Sequence, residues 1–189
     1  MKRIAILASG SGTNAQRIVE HFAQHPAAQV VLIGCDQPGA GVLQRAWDLG
    51  IPSYRFNGQQ LKHGAVLAEL QAFKVDLIVL AGFMRLIPAA MVKAFPQRII
   101  NIHPALLPKY GGKGMYGHHV HEAVIAAGEA QSGITIHWVN ERYDEGEHLF
   151  QANCPVLPTD TAETLAQRIH ALEHAHYPEV VERLVRDLV

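Results

Sequence analysis

Apolar runs and apolar stripes take turns along the first hundred residues. Ile4-Ala5-Ile6-Leu7-Ala8, Val30-Val31-Leu32-Ile33 and Leu77-Ile78-Val79-Leu80 are unbroken apolar runs. Such runs suit strands of a parallel sheet that is covered on both faces. Ile99, Ile100 and Ile102 form a fourth run, and residues 51–56 form a shorter one. Between the runs the apolar spacing changes to three and four. Ile18 with Phe22, Val42 with Ala46 and Leu49, and Val66 with Leu70 and Phe73 each mark one face of a helix. Gly50 is placed to cap the second of these, and Pro88 to open a short helix bearing Met91, Val92 and Phe95.

After residue 103 the rhythm changes. Residues 104–117, PALLPKYGGKGMYG, hold two prolines and four glycines and read as a loop. A helix with Val120, Val124 and Ala127 follows and stops at Gly128. Residues 133–139 alternate Ile134, Ile136 and Trp138 with Thr135, His137 and Val139, which predicts an antiparallel or edge strand. Residues 148–156 make its partner, and Tyr143-Asp144-Glu145-Gly146 sits in the connection. Asp160 and Glu163 have capping-box spacing before a helix bearing Leu165, Ile169 and Leu172. Pro178 is expected to open a last helix with Val181, Leu184 and Leu188. There is no repeat, low-complexity tract or linker, so a single domain over 1–189 is expected, its halves joined by the glycine-rich loop at 111–117.

Composition narrows the function classes. A chain of 189 residues that is 49% hydrophobic and carries a net charge of only -1 can bury a sizeable core, which excludes disorder as a class. The same balance excludes a global basic field for nucleic acid. Lys109, Tyr110 and Lys113 form a basic and aromatic cluster too sparse for that role. Cys35 and Cys154 cannot build a disulfide scaffold and read as small buried hydrophobes. The apolar start is shorter than a signal-peptide core, and no stretch approaches about 18 apolar residues. A cytoplasmic address is the resulting expectation.

Two places carry candidate chemistry. The first is Ser9-Gly10-Ser11-Gly12-Thr13-Asn14, between a strand and a helix, where backbone N–H groups can converge on an anion. Gly10 and Gly12 are read as supplying backbone angles barred to other residues, so a methyl at Gly12 would crowd the anion or force a barred angle. The bland alternative is a tight turn with a polar cap. A dinucleotide reading fits Gly10, Gly12 and Ala15, but Asp36 is about the only acid available for a ribose. The second place is Asn101-Ile102-His103-Pro104, at the end of a strand. Asn101 and His103 are two apart and share a side if extended. An amide donor beside an imidazole suits acyl chemistry, where one meets an oxyanion and the other moves a proton.

With these stretches in hand, the chain resembles the phosphoribosylglycinamide formyltransferases, folate-dependent enzymes of purine synthesis. The resemblance rests on ILASGSGTN, LAGFMRLIP, NIHPALLPKYGG, GITIHWV, YDEGEHLFQ and LEHAHYP, which occur in the family's order over nearly the whole chain. It implies an α/β, Rossmann-like fold: a doubly wound, mainly parallel sheet with antiparallel strands from the C-terminal half. Residues 1–103 would then form a nucleotide-phosphate-binding half, and residues 104–189 would complete the folate and catalytic cleft. It further implies that Gly12, Thr13 and Asn14 hold the phosphate of glycinamide ribonucleotide, and that Glu173 contacts its ribose. Met84, Arg85, Leu86 and Ile87 would line the site of 10-formyltetrahydrofolate, with Asn101. Asn101, His103 and Asp144 would be the catalytic trio, with Asp144 favouring a charged His103. No metal is expected, no membrane or nucleic acid is a partner, and the state is a monomer or weak homodimer.

The departures from the family pattern are local. Ala105 stands where many members have serine, and His170 where some have a glutamine. The loop GGKGMYGHHVHEAV carries His118, His119 and His121, read as solvated or loop-pinning residues rather than metal ligands. His174 and His176 are read in the same way, and Arg85 has the alternative of a helix-start arginine lying over apolar surface. Three rival functions share parts of the pattern. Methionyl-tRNA formyltransferase normally adds a C-terminal RNA-binding domain, and formyltetrahydrofolate deformylase an N-terminal regulatory one. A nonenzymatic nucleotide sensor would have no reason to keep Asn101, His103 and Asp144 together.

Overall fold

A computed structural model of the chain describes residues 1–188. Its elements follow the order β1 (Lys2–Ala8), α1 (Thr13–Phe22), β2 (Ala28–Cys35), α2 (Gly41–Asp48), β3 (Ser53–Arg55), α3 (Gly58–Lys62) and α4 (Ala65–Ala72). They continue with β4 (Leu77–Leu80), α5 (Ala89–Ala94), β5 (Ile99–His103), α6 (His118–Ala126), β6 (Gln131–Trp138), β7 (His148–Pro155) and α7 (Ala162–Asp187). The seven strands form one sheet in the order β3-β2-β1-β4-β5-β6-β7. The first five are parallel, whereas β6 pairs antiparallel with both β5 and β7.

The apolar runs are strands because both of their faces are covered. Ile4, Ile6 and Ala8 join a core with Ile18 and Phe22 of α1 and Tyr177 and Val181 of α7. Ala5 and Leu7 point the other way, into a second core with Leu70 of α4 and Met91 and Phe95 near α5. Strand order reverses between β1 and β4, which is the switch point where open α/β sheets leave a crevice beyond their carboxyl ends.

Two expectations are corrected. Pro178 does not open a helix but lies inside α7, which runs unbroken for 26 residues. Proline has no N–H for the preceding turn. Even so, Tyr177, Val180, Val181 and Val185 are all buried, and this packing carries the helix through. The cap of α7 is Thr161, paired with Thr164. Asp160 instead forks onto Arg168 at 2.8 and 3.1 Å. The short helix α3, capped by Asn57 and Gln60, lacks a long apolar stripe, so no periodicity announces it. β6 is antiparallel, as its alternation predicts, and is internal to the sheet. It lies between β5 and β7, with Ser132, Thr135 and His137 as buried as its isoleucines.

Cys35 and Cys154 are buried free thiols, and burial pushes both thiols up. Among the described residues, no helix is long and apolar enough to cross a membrane.

Tyr177 ties α7 to the sheet edge beneath the cleft. It is fully buried, and its hydroxyl donates to the Leu80 carbonyl at 2.8 Å, at the end of β4. Tyr177→Phe leaves that carbonyl without its donor and should cost about 1–3 kcal/mol in denaturant unfolding. A loss below about 0.5 kcal/mol would mean that the hydroxyl contributes nothing net.

Candidate active site

A cleft of about 630 Å³ opens over the switch point. One end is the turn after β1 and the N-terminus of α1. The middle is the segment after β4, residues 82–87, and the other wall is the end of β5, the loop 112–117 and residues 142–144. A second hollow of about 580 Å³ adjoins it and shares Met84 to Ile87 and Tyr143, adding Lys62 and Glu141.

At the glycine turn, Gly12 has φ +80 and caps α1 without any side-chain hydrogen bond. The first-turn N–H groups of α1 have no intrahelical acceptor, and with the helix dipole they favour an anion at this end of the cleft. Gly10 has no positive φ, so its expected special angle is absent. At Gly12 the expected barred angle is present, and a Cβ there would also lie 2.5 Å from Cγ2 of Val42, so α2 bars a side chain as well. Asn14 donates its Nδ2 to Oε2 of Glu173 at 2.8 Å, which ties α1 to α7. Burial pushes the Glu173 carboxyl up, against the Asn14 hydrogen bond and the nearby His170. His170 lines the cleft beside it.

Asp36 is not free for a ribose. It accepts from Ser9 Oγ at 2.6 Å and from Arg85 Nε at 2.6 Å. Ser9 Oγ in turn accepts the Met84 N–H at 3.1 Å. One buried carboxylate thus fastens the glycine turn to the 82–87 segment, a role that no local pattern around Asp36 announces. Arg85 lies in the loop before α5 and reaches Asp36, so it does not begin a helix. Met84 and Leu86 are exposed to the hollows, whereas Ile87 is 2% exposed and belongs to the core beneath.

At the far wall, Asn101, His103 and Asp144 come together. Register brings Asn101 opposite His137, and His103 opposite Thr135. Asp144 reaches in from its loop with φ +56, a conformation that aspartate tolerates. Its Oδ2 accepts the Gly112 N–H at 2.9 Å and lies 3.5 Å from His103 Nδ1. Its Oδ1 lies 3.5 Å from Asn101 Nδ2. His103 Nε2 donates to the Tyr110 carbonyl at 2.7 Å. The proline loop is stitched by Thr135, whose hydroxyl donates to the carbonyl of buried Ala105 at 2.7 Å and accepts from Leu107 N–H and Gln151.

The electrostatics correct one expectation. Burial pushes the His103 imidazole below its usual range, although Asp144 and the Tyr110 carbonyl pull the other way. A resting imidazolium is therefore disfavoured. Burial pushes the Asp144 carboxyl up, yet the neighbouring His137 and His103 rings and the Gly112 N–H outweigh it and hold the group below its usual range. His137 itself is 2% exposed, although the alternation of its strand sets it on the face opposite the isoleucines, where nothing in the sequence marks it out. Among the described residues, no group of three or more His, Cys, Asp or Glu side chains could hold a metal ion. His118 meets Glu122 at 3.3 Å on an exposed face, whereas His121 is buried against the cleft.

Comparison with known proteins is consistent along the chain. The formyl transferase family model matches residues 2–181. The chain is 42% identical over 192 residues to the trifunctional purine biosynthetic protein adenosine-3 of Drosophila melanogaster, using 97% of itself and spanning 14% of that protein. It is 38% identical over 191 residues to the phosphoribosylglycinamide formyltransferase of Bacillus subtilis, covering 98% of this chain and 95% of that one. Glycinamide ribonucleotide transformylase 1 of Symbiobacterium toebii superposes with a TM-score of 0.91 at 37% identity, covering 99% and 89% of the two chains.

His121 gives the site a pH signature. Burial, with the imidazoles of His170, His118 and His103 nearby, pushes it down to about 4 from 6.5. The unfolded chain therefore takes this proton first. Stability should be fully present above about pH 6.5 and fall as pH drops toward 4. In His121→Phe, the slope of unfolding free energy against pH in that window should shrink by up to about 1.4 kcal/mol per pH unit, one proton's worth. An unchanged slope would contradict the assignment.

Proposed function

The chain belongs to the formyl transferase family, and from that premise we propose that it transfers the formyl group of 10-formyltetrahydrofolate to the amine of 5'-phosphoribosylglycinamide. The products are 5'-phosphoribosyl-N-formylglycinamide and tetrahydrofolate, a step of purine synthesis. The observation that carries this reading is the convergence of Asn101, His103 and Asp144 in one cleft whose opposite end is a helix N-terminus. Residues 1–103 supply the anion end with Gly12, Thr13 and Asn14, with Glu173 of α7 against the ribose. Met84 to Ile87 border the folate, and residues 104–189 close the catalytic wall. The protein works on two small molecules without a metal, in the cytoplasm, as a monomer or weak homodimer.

The chemistry follows from the residue types. The amine nitrogen attacks the formyl carbon, a new C–N bond forms, and charge gathers on the former carbonyl oxygen. Asn101 offers that oxygen an N–H donor. The bond from carbon to the folate nitrogen then breaks. The attacking amine must lose a proton and the folate nitrogen must gain one. His103 rests neutral, so it becomes imidazolium only as that proton passes through the site, with Asp144 alongside to stabilise the charge. No residue need be acylated.

Formylation of glycinamide ribonucleotide should proceed, and neither methionyl-tRNA nor water should accept the group at a comparable rate. A preference for either would replace this reading with the corresponding rival. Asp144→Asn keeps the shape and removes the charge, and should lower kcat/KM by about a hundredfold or more. Losing the carboxylate lowers the His103 pKa further, so the acid limb of kcat/KM, below which neutral His103 is lost, should move to lower pH than in the parent. A parental pH profile in the variant, or a formyl group trapped on Asp144 and seen by mass, would overturn the role given to it.

A further inference from the structure

Building on the reaction just proposed, we infer that His137 is a positioning residue that decides which end of the Asn101 amide meets the reacting group. The argument is one of donors and acceptors. His137 lies directly opposite Asn101 across the β5–β6 ladder, so their side chains share a face. Pairing between β6 and β7 slips at this point, from Ile136 opposite Phe150 to His137 opposite His148, which leaves Leu149 unmatched. Such bulges re-aim side chains beside active sites. The Trp138 N–H goes to the Glu147 carbonyl at 2.9 Å. Behind it, the backbone of Gly146 lies so close that a Cβ there would sit 1.6 Å from the Trp138 carbonyl oxygen. That oxygen is held in place, 2.8 Å from His137 Nδ1.

A carbonyl oxygen only accepts, so Nδ1 carries the hydrogen. The Nε2 of the same neutral ring is then a bare lone pair. It lies 3.2 Å from the amide nitrogen of Asn101. Asp144 Oδ1, another acceptor, lies 3.5 Å from the same nitrogen. Two acceptors on one side require the NH2 group there and turn Asn101 Oδ1 away. One amide hydrogen is anchored on His137. The other has only the long contact to Asp144 and is the hydrogen an oxyanion can claim. Without an acceptor at 137 the amide is free to turn over and present an oxygen, which would repel a developing negative charge. The competing arrangement is a doubly protonated His137 that donates Nε2–H to Asp144 Oδ1, now 3.6 Å away.

The direct test is nitrogen NMR of the full chain with labelled histidine, which needs no substrate. His137 should show a protonated Nδ1 and an unprotonated Nε2 near neutral pH. Protonation at Nε2, alone or with Nδ1, overturns the inference. Kinetics supply the second arm. His137→Phe keeps a ring but no acceptor, whereas His137→Gln returns an uncharged acceptor near Nε2. His137→Phe should lower kcat about tenfold to a hundredfold, short of the loss of an oxyanion donor outright, with both KM values within about threefold. His137→Gln should recover most of the loss. Equal losses in the two variants would show a merely structural role. A parent protein that transfers no formyl group to the ribonucleotide counts against the proposed reaction and is separable, because the nitrogen spectrum stands without it.

Discussion

Asp144 keeps a charge in a place where charge is expensive. A tenth of its side chain is exposed, and among the described residues no lysine or arginine forms an ion pair with it. An ionised carboxylate so placed must gather hydrogen-bond donors or give up its charge. The donors available are the Gly112 N–H and the Asn101 amide, and the edges of two histidine rings lie beside them. Satisfying this one group draws the glycine-rich loop and the loop that carries Asp144 onto the ends of β5 and β6, which the sheet already pairs.

The rest of the cleft is held together by a second buried carboxylate and an amide. Asp36 couples the glycine turn to the 82–87 segment through Ser9 and Arg85, and Asn14 couples α1 to α7 through Glu173. The parallel sheet sets the spacing, since both turns leave adjacent strands, β1 and β4, at the switch point. Both ends therefore move with the sheet. That rigidity suits a reaction in which the nucleotide is gripped at its phosphate and the chemistry happens at the far end of the same molecule.

The fold is largely legible in the sequence because its strands are buried on both faces. An unbroken run as short as Leu77 to Leu80, set between helical stripes, fits a covered parallel strand better than a helix. The features that escape are those decided by tertiary contact. Pro178 reads locally as a helix start, yet its neighbours are held by the core. Asp160 has the spacing of a cap, but Arg168 claims it. In the site, Asn101 and His103 are legible because they sit two apart at a strand end. Asp144 comes from the resemblance, since nothing in a Tyr-Asp-Glu-Gly stretch says which strand it faces. His137 and Asp36 are hidden for the same reason: their partners lie 36 and 49 residues away, and no local pattern encodes such a pairing. The protonation of His103 is misread as well, because the resemblance supplies its charge partner while nothing in the sequence supplies its burial.

The central claim is that one cleft holds the nucleotide phosphate at the turn after β1 and presents its amine to the Asp144 end. A crystal structure with glycinamide ribonucleotide and a folate analogue that cannot transfer its one-carbon group tests it most directly. The account predicts the phosphate against the N–H groups of Gly12, Thr13 and Asn14. It also predicts the amine within hydrogen-bond reach of Asn101, His103 or Asp144, and the folate ring along Met84 to Ile87. A nucleotide bound in the reverse sense, with its phosphate at the Asp144 wall, would contradict it.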